Sequence, residues 1–117
     1  MSSEPRLLDV SPDIAGSWLS AYWSPIPDPW PYSNGAGLRL VKSFIGFMRA
    51  DKWLSTPRDP IKLTNMNELL DGRARLLAVY RCGITVQMAV AGGYYYEDWF
   101  KIHRGVASML MYPPGAQ

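Results

Sequence analysis

Residues 68–91, ELLDGRARLLAVYRCGITVQMAVA, constrain the fold of this 117-residue chain more than any other stretch. Three blocks of different periodicity follow one another with almost no connecting sequence. Glu68-Leu69-Leu70 is a short apolar run and predicts a strand over 68–70. Asp71-Gly72 then opens a helix over 73–82, with Leu76, Leu77, Val79 and Tyr80 marking its buried face. Gly83 stands where a left-handed C-cap belongs. Residues 84–91 alternate and carry β-branched side chains, which predicts the best strand of the chain, ended by Gly92-Gly93. Such a strand-helix-strand unit excludes an all-α or all-β domain. If its two strands are parallel, the crossover is right-handed.

The remaining segments fit around this unit. Residues 6–10 predict an edge strand. Ser11 is a good N-cap, Pro12 suits the first helical position and Asp13 favours the positive helix start, so a helix is expected over 12–22. Ile14, Trp18, Leu19 and Tyr22 form its apolar positions. The stretch 24–37, SPIPDPWPYSNGAG, packs four prolines into eight residues and predicts a loop. Its Trp30 and Tyr32 either pin the loop down or meet a partner. A second amphipathic helix is expected over 38–53, with Leu38, Val41, Phe44 or Ile45, and Met48 on one face and Arg39, Lys42, Ser43 and Arg49 on the other. Residues 60–64 alternate like a strand, residues 94–105 suggest a further helix, and residues 112–117 form a tail. The expected architecture is a single small α/β (α+β) domain over 1–117, with a short mixed sheet and flanking helices.

Composition narrows the function classes. Apolar residues make up 48 % of the chain, which argues against disorder. A formal charge of +2 is too small to signal nucleic-acid binding by bulk electrostatics. Cys82 is the one cysteine and His103 the one histidine, so neither a disulfide nor a zinc or redox cofactor is expected. No apolar run has signal-peptide or membrane-spanning length. These features lead us to expect a cytoplasmic protein with no membrane partner.

The corner at 71–75 carries the sharpest chemistry. A helix beginning straight after a strand points unpaired backbone N–H groups outward, at the positive end of its dipole. Gly72 allows close approach of a ligand. Arg73 and Arg75 stand in the first turn, where cations are unfavourable for the helix alone, and so suggest an anion. Asp71, Gly72, Arg73 and Arg75 are therefore a candidate phosphate site, with guanidinium and backbone groups acting together. The competing reading makes Asp71 an N-cap, with Arg75 paired to it or to Glu68.

These residues also resemble a known family. Residues 59–93 are similar to the core of the ParB/sulfiredoxin-like superfamily, in which an Asp-Gly-Gln-His-Arg-Leu element opens a helix that leads into a strand. Asp71, Gly72, Arg75, Leu76, Ala78, Gly83, Val86, Val90 and Gly92 match that pattern. Weaker likeness to phage and actinobacterial members extends over about residues 8–105. The resemblance implies a small α/β fold with a nucleotide pocket at the corner, taking a nucleoside triphosphate with Mg²⁺, which Asp71 would help to hold. It also implies association with DNA, with a host or phage protein, or with a second copy as a homodimer.

The departures from the pattern are specific. Sulfiredoxins need Gly-Cys-His-Arg where this chain has Gly72-Arg73-Ala74-Arg75, so sulfiredoxin chemistry is not expected. The usual Gln-His pair is replaced by Arg73-Ala74, which removes a general acid/base. Asn34 or Arg39 would stand in for the family's Asn-Arg near the pocket, and His103 and Arg104 are further outer contacts. These residues leave no room for the DNA-binding and dimerisation domains of a full ParB. Two readings follow. One is a phage- or prophage-type accessory protein with a nucleotide- or phosphate-binding domain and, at most, weak phosphoester hydrolysis. The other is an inactive interaction module whose partner surface includes Trp30, Tyr32 and Tyr95.

Overall fold

The computed structural model describes residues 4–23, 35–54 and 58–102. The elements run β1 (Arg6–Val10), α1 (Pro12–Ser20), α2 (Gly35–Arg49), β2 (Ile61–Thr64), β3 (Leu69–Asp71), α3 (Arg73–Cys82), β4 (Val86–Tyr94) and α4 (Asp98–Ile102). The four strands form one mixed sheet in the order β1-β4-β2-β3. β1 pairs antiparallel with β4, β4 parallel with β2, and β2 antiparallel with β3. The chain is thus a small mixed α/β domain, as its periodicity predicts.

β3 and β4 are the strands that flank α3, but they are not neighbours in the sheet. β2 lies between them, and the parallel pair is β2 and β4. The right-handed crossover expected of residues 68–91 on the condition of parallel strands does not apply to that pair. A three-residue β3 finds its partner through the nearby turn, where Thr64 Oγ1 accepts hydrogen bonds from the Met66 and Glu68 amides.

Local chemistry explains where most elements begin and end. Ser11 Oγ accepts the Ile14 amide at 3.1 Å, with Pro12 and Asp13 in the first turn of α1. α1 stops at Ser20, two residues short of expectation, because sheet bonds claim the following backbone. Leu69 N–H donates to Ala21 O and Trp23 N–H to Leu69 O, both at 2.9 Å. Tyr22 thereby covers the outer edge of β3. Ser11→Ala is expected to cost about 1 kcal/mol by loss of this cap, read as a lower urea midpoint at unchanged slope.

α2 starts at Gly35, so residues 35–37 are helical rather than loop; residues 24–34, with Trp30 and Tyr32, lie outside the described residues. The helix ends at Arg49, four residues early. Asp51 adopts φ 56° and Lys52 N–H returns to Phe47 O at 2.8 Å, a Schellman-type ending with aspartate in the place usually held by glycine. β4 starts two residues late because its ladder with β1 ends at the Val10–Val86 pair. It then runs through Gly92-Gly93 to Tyr94, where these residues were expected to end it. A register shift against β2 and φ 81° at Gly93 absorb the glycines inside the strand. α4 begins at Asp98, four residues later than expected, and residues beyond 102 lie outside the description.

The main core lies between one sheet face and the helices, and α3 touches both α1 and α2. Val10, Val41, Met48, Ile61, Leu63, Leu69, Leu76, Val79, Met88 and Val90 are buried in it. Tyr80, expected on the buried face of α3, is instead 57 % exposed, its ring against Gly16 of α1. Leu70 alternates to the opposite face from Leu69, where it packs with Trp99 in a second small cluster.

Candidate functional site

β3 and α3 meet at Gly72, which is the N-cap of α3 with φ 111° and ψ 16°. This conformation belongs to glycine. A Cβ there would stand 2.3 Å from Ile61 Cδ1, so the position is also closed sterically. Gly72 supplies no side-chain cap to the helix. Its carbonyl accepts the Leu76 amide at 3.0 Å, the first intrahelical bond.

Asp71 is the last residue of β3 and does not cap α3, contrary to one sequence reading. Its register partner is Lys62 of β2, and the ammonium lies 3.1 Å from Asp71 Oδ2. That close cation ties the carboxylate to the neighbouring strand β2. Arg75 Nη2 is 3.9 Å from the same oxygen, so the pairing of Arg75 with Asp71 is present and a pairing with Glu68 is not among the observed contacts.

Arg75 is held chiefly by the segment before β2. Its Nη1 donates to the Asp59 carbonyl and its Nη2 to the Pro60 carbonyl at 3.4 Å. The Asp59 carboxylate lies 3.7 Å from Arg75 and 3.7 Å from Lys62. Arg75 therefore braces the entry to β2 as well as flanking the helix end. Arg73 lies over the Tyr22 ring, 4.8 Å from its centroid.

Tyr22, Phe44, Asp59, Gly72, Arg73 and Arg75 are among the walls of a cleft of about 270 Å³ at the start of α3. Lys62 and Arg75 are matched at this corner by the carboxylates of Asp59 and Asp71. A second cleft of about 400 Å³ shares Phe44, Asp59 and Arg75 with the first. Its walls are mostly apolar and include Phe47, Trp53 and Met88, with Phe44 and Trp53 edge to face at 5.3 Å. A charged corner thus adjoins an aromatic trough.

Asp71, Gly72, Arg73 and Arg75 all border the cleft at the start of α3. Arg39 is exposed on α2 and is not among the cleft walls, although its neighbour Leu40 is. His103 and Arg104 lie outside the described residues. Tyr95 is 57 % exposed, just before α4, where its amide donates to Asp98 Oδ2 at 2.8 Å. Its neighbour Tyr96 hydrogen-bonds Glu68, which raises the phenol pKa. Tyr22, Phe44, Asp59 and Lys62 were not foreseen as part of the site. The alternation of residues 60–64 could have pointed to Lys62, which must face away from Ile61 and Leu63.

Among the described residues, no cluster of three or more His, Cys, Asp or Glu side chains could hold a metal ion. Nor is any described helix long and apolar enough to cross a membrane. No protein-family profile, curated protein or solved structure matches the chain.

Proposed function

We propose that the corner at 71–75 binds the phosphate of a nucleotide or related phosphoester, in an accessory protein of the phage or prophage kind that works beside nucleotide or DNA. One observation carries this reading. A ten-residue helix starts at a glycine with no side-chain cap, inside a cleft walled by Arg73 and Arg75. The adjoining aromatic trough supports a ligand with a flat apolar part. The same arrangement favours binding over catalysis. Asp71 is committed to Lys62 and Arg75, and Ala74 stands where a general acid/base would be needed. Any cleavage would rest on positioning and charge neutralisation.

Thermal melts with ATP, CTP, GTP, UTP, ADP and a short DNA duplex, each with and without Mg²⁺, test the reading. A ligand several-fold above its dissociation constant is expected to add about 1 kcal/mol, or roughly 4–8 °C. The shift should vanish in Arg73→Ala and Arg75→Ala, each measured against its own baseline. An unchanged shift in both variants would reject the site.

A second reading, a non-catalytic interaction module, is favoured by the exposure of Tyr95 at 57 % and Met66 at 71 %. It would appear as self-association or partner capture that depends on Tyr95 and ignores Arg73.

A further inference from the structure

We propose that Asp59 is a built-in, displaceable competitor for the anion site, an inference that rests on the phosphate-binding reading. The two carboxylates at the corner are held very differently. Asp71 is 24 % exposed and lies 3.1 Å from Lys62, within hydrogen-bond distance. Asp59 is 65 % exposed, and its carboxylate reaches both Lys62 and Arg75 only at 3.7 Å. Those separations are coulombic contacts without a hydrogen bond, and solvent screens them. Asp71 is the fixed counter-charge and Asp59 the loose one.

The backbone makes the loose carboxylate free to leave. Arg75 is anchored by the main-chain carbonyls of Asp59 and Pro60, not by the Asp59 side chain. Asp59 also borders both clefts, so its carboxylate stands at their junction. When it swings out, Arg75 stays in place and Lys62 and Arg75 face Asp71 alone, which uncovers one positive charge. A phosphate brings more charge and more acceptor oxygens to the same cations than the carboxylate it replaces. Asp59 thereby holds the empty corner neutralised and sets a threshold that a singly charged anion meets poorly.

The test is calorimetric titration of the full chain with inorganic pyrophosphate. Wild type, Asp59→Asn and Asp59→Ala are compared, all of which retain the main-chain carbonyl. Circular dichroism confirms that each is folded. Removing the competitor is expected to tighten pyrophosphate binding about three- to tenfold in both variants, the scale of one or two screened ion pairs. Equal affinity in all three proteins would overturn the role of Asp59 and leave the phosphate site standing. Weaker binding in the variants would overturn it too, and make Asp59 part of the binding wall. Absence of binding in all three would overturn both the inference and the reading beneath it.

Discussion

Gly72→Ala is expected to destabilise the protein by about 3 kcal/mol, the largest loss from any single added methyl group at the corner. Two costs combine. A side chain at φ 111° is strained by about 1–3 kcal/mol. The new Cβ also meets Ile61 Cδ1 at 2.3 Å, and Ile61 is fully buried with its own Cα 3.4 Å away. Its methyl group has nowhere to go without disturbing the core, which adds about 1–3 kcal/mol. Against a typical stability of about 5–15 kcal/mol, the melting temperature should fall by about 15 °C. Urea denaturation followed by circular dichroism measures it. A loss below about 1 kcal/mol would mean that the β3–α3 junction relaxes freely. The fold therefore demands this glycine whether or not a ligand approaches it, so the evidence for a phosphate site must come from the uncapped helix end and its arginines.

Trp99→Ala should cost about 3–5 kcal/mol, the range for removing a buried aromatic ring. Trp99 is 1 % exposed and packs on Leu70, with Trp23, Tyr94 and Ile102 around it. This cluster covers the sheet face opposite the three longer helices. Its loss would uncover Leu70, one residue before Asp71, and so loosen β3 at the strand end that carries the corner. Trp99→Phe, which keeps a ring, should lose distinctly less. Denaturant titration of the two variants checks the order; equal midpoints for wild type and Trp99→Ala would show that α4 adds nothing to the core.

How much of this was legible beforehand varies from residue to residue. The bounds of α3 were, because Gly72 and Gly83 both take left-handed conformations at its ends and the apolar spacing between them is helical. The start of α1 was, because Ser11, Pro12 and Asp13 act within one turn. The end of α2 was not, since an aspartate in the left-handed region carries no reliable signal in the sequence. Gly92-Gly93 misled for the converse reason: glycine permits a turn, but it also permits a bulge, and the pairing with β2 selected the bulge. Within the site, Gly72, Arg73 and Arg75 were visible as neighbours in the chain. What they touch was not, because Asp59 and Lys62 arrive from another strand.

Short-range chemistry in the sequence alone determined the α/β class, the existence of β1, α1 and α3, and the grouping of a glycine and two arginines at a helix start. These depend on interactions within a few residues, where spacing and side-chain type carry the physics. Tertiary structure decided that β2 lies between β3 and β4, that Asp71 faces Lys62 instead of capping α3, and that Arg75 braces Asp59 and Pro60. Those outcomes depend on which strand edges pair and which charges they bring within about 4 Å, between residues that are far apart in the chain.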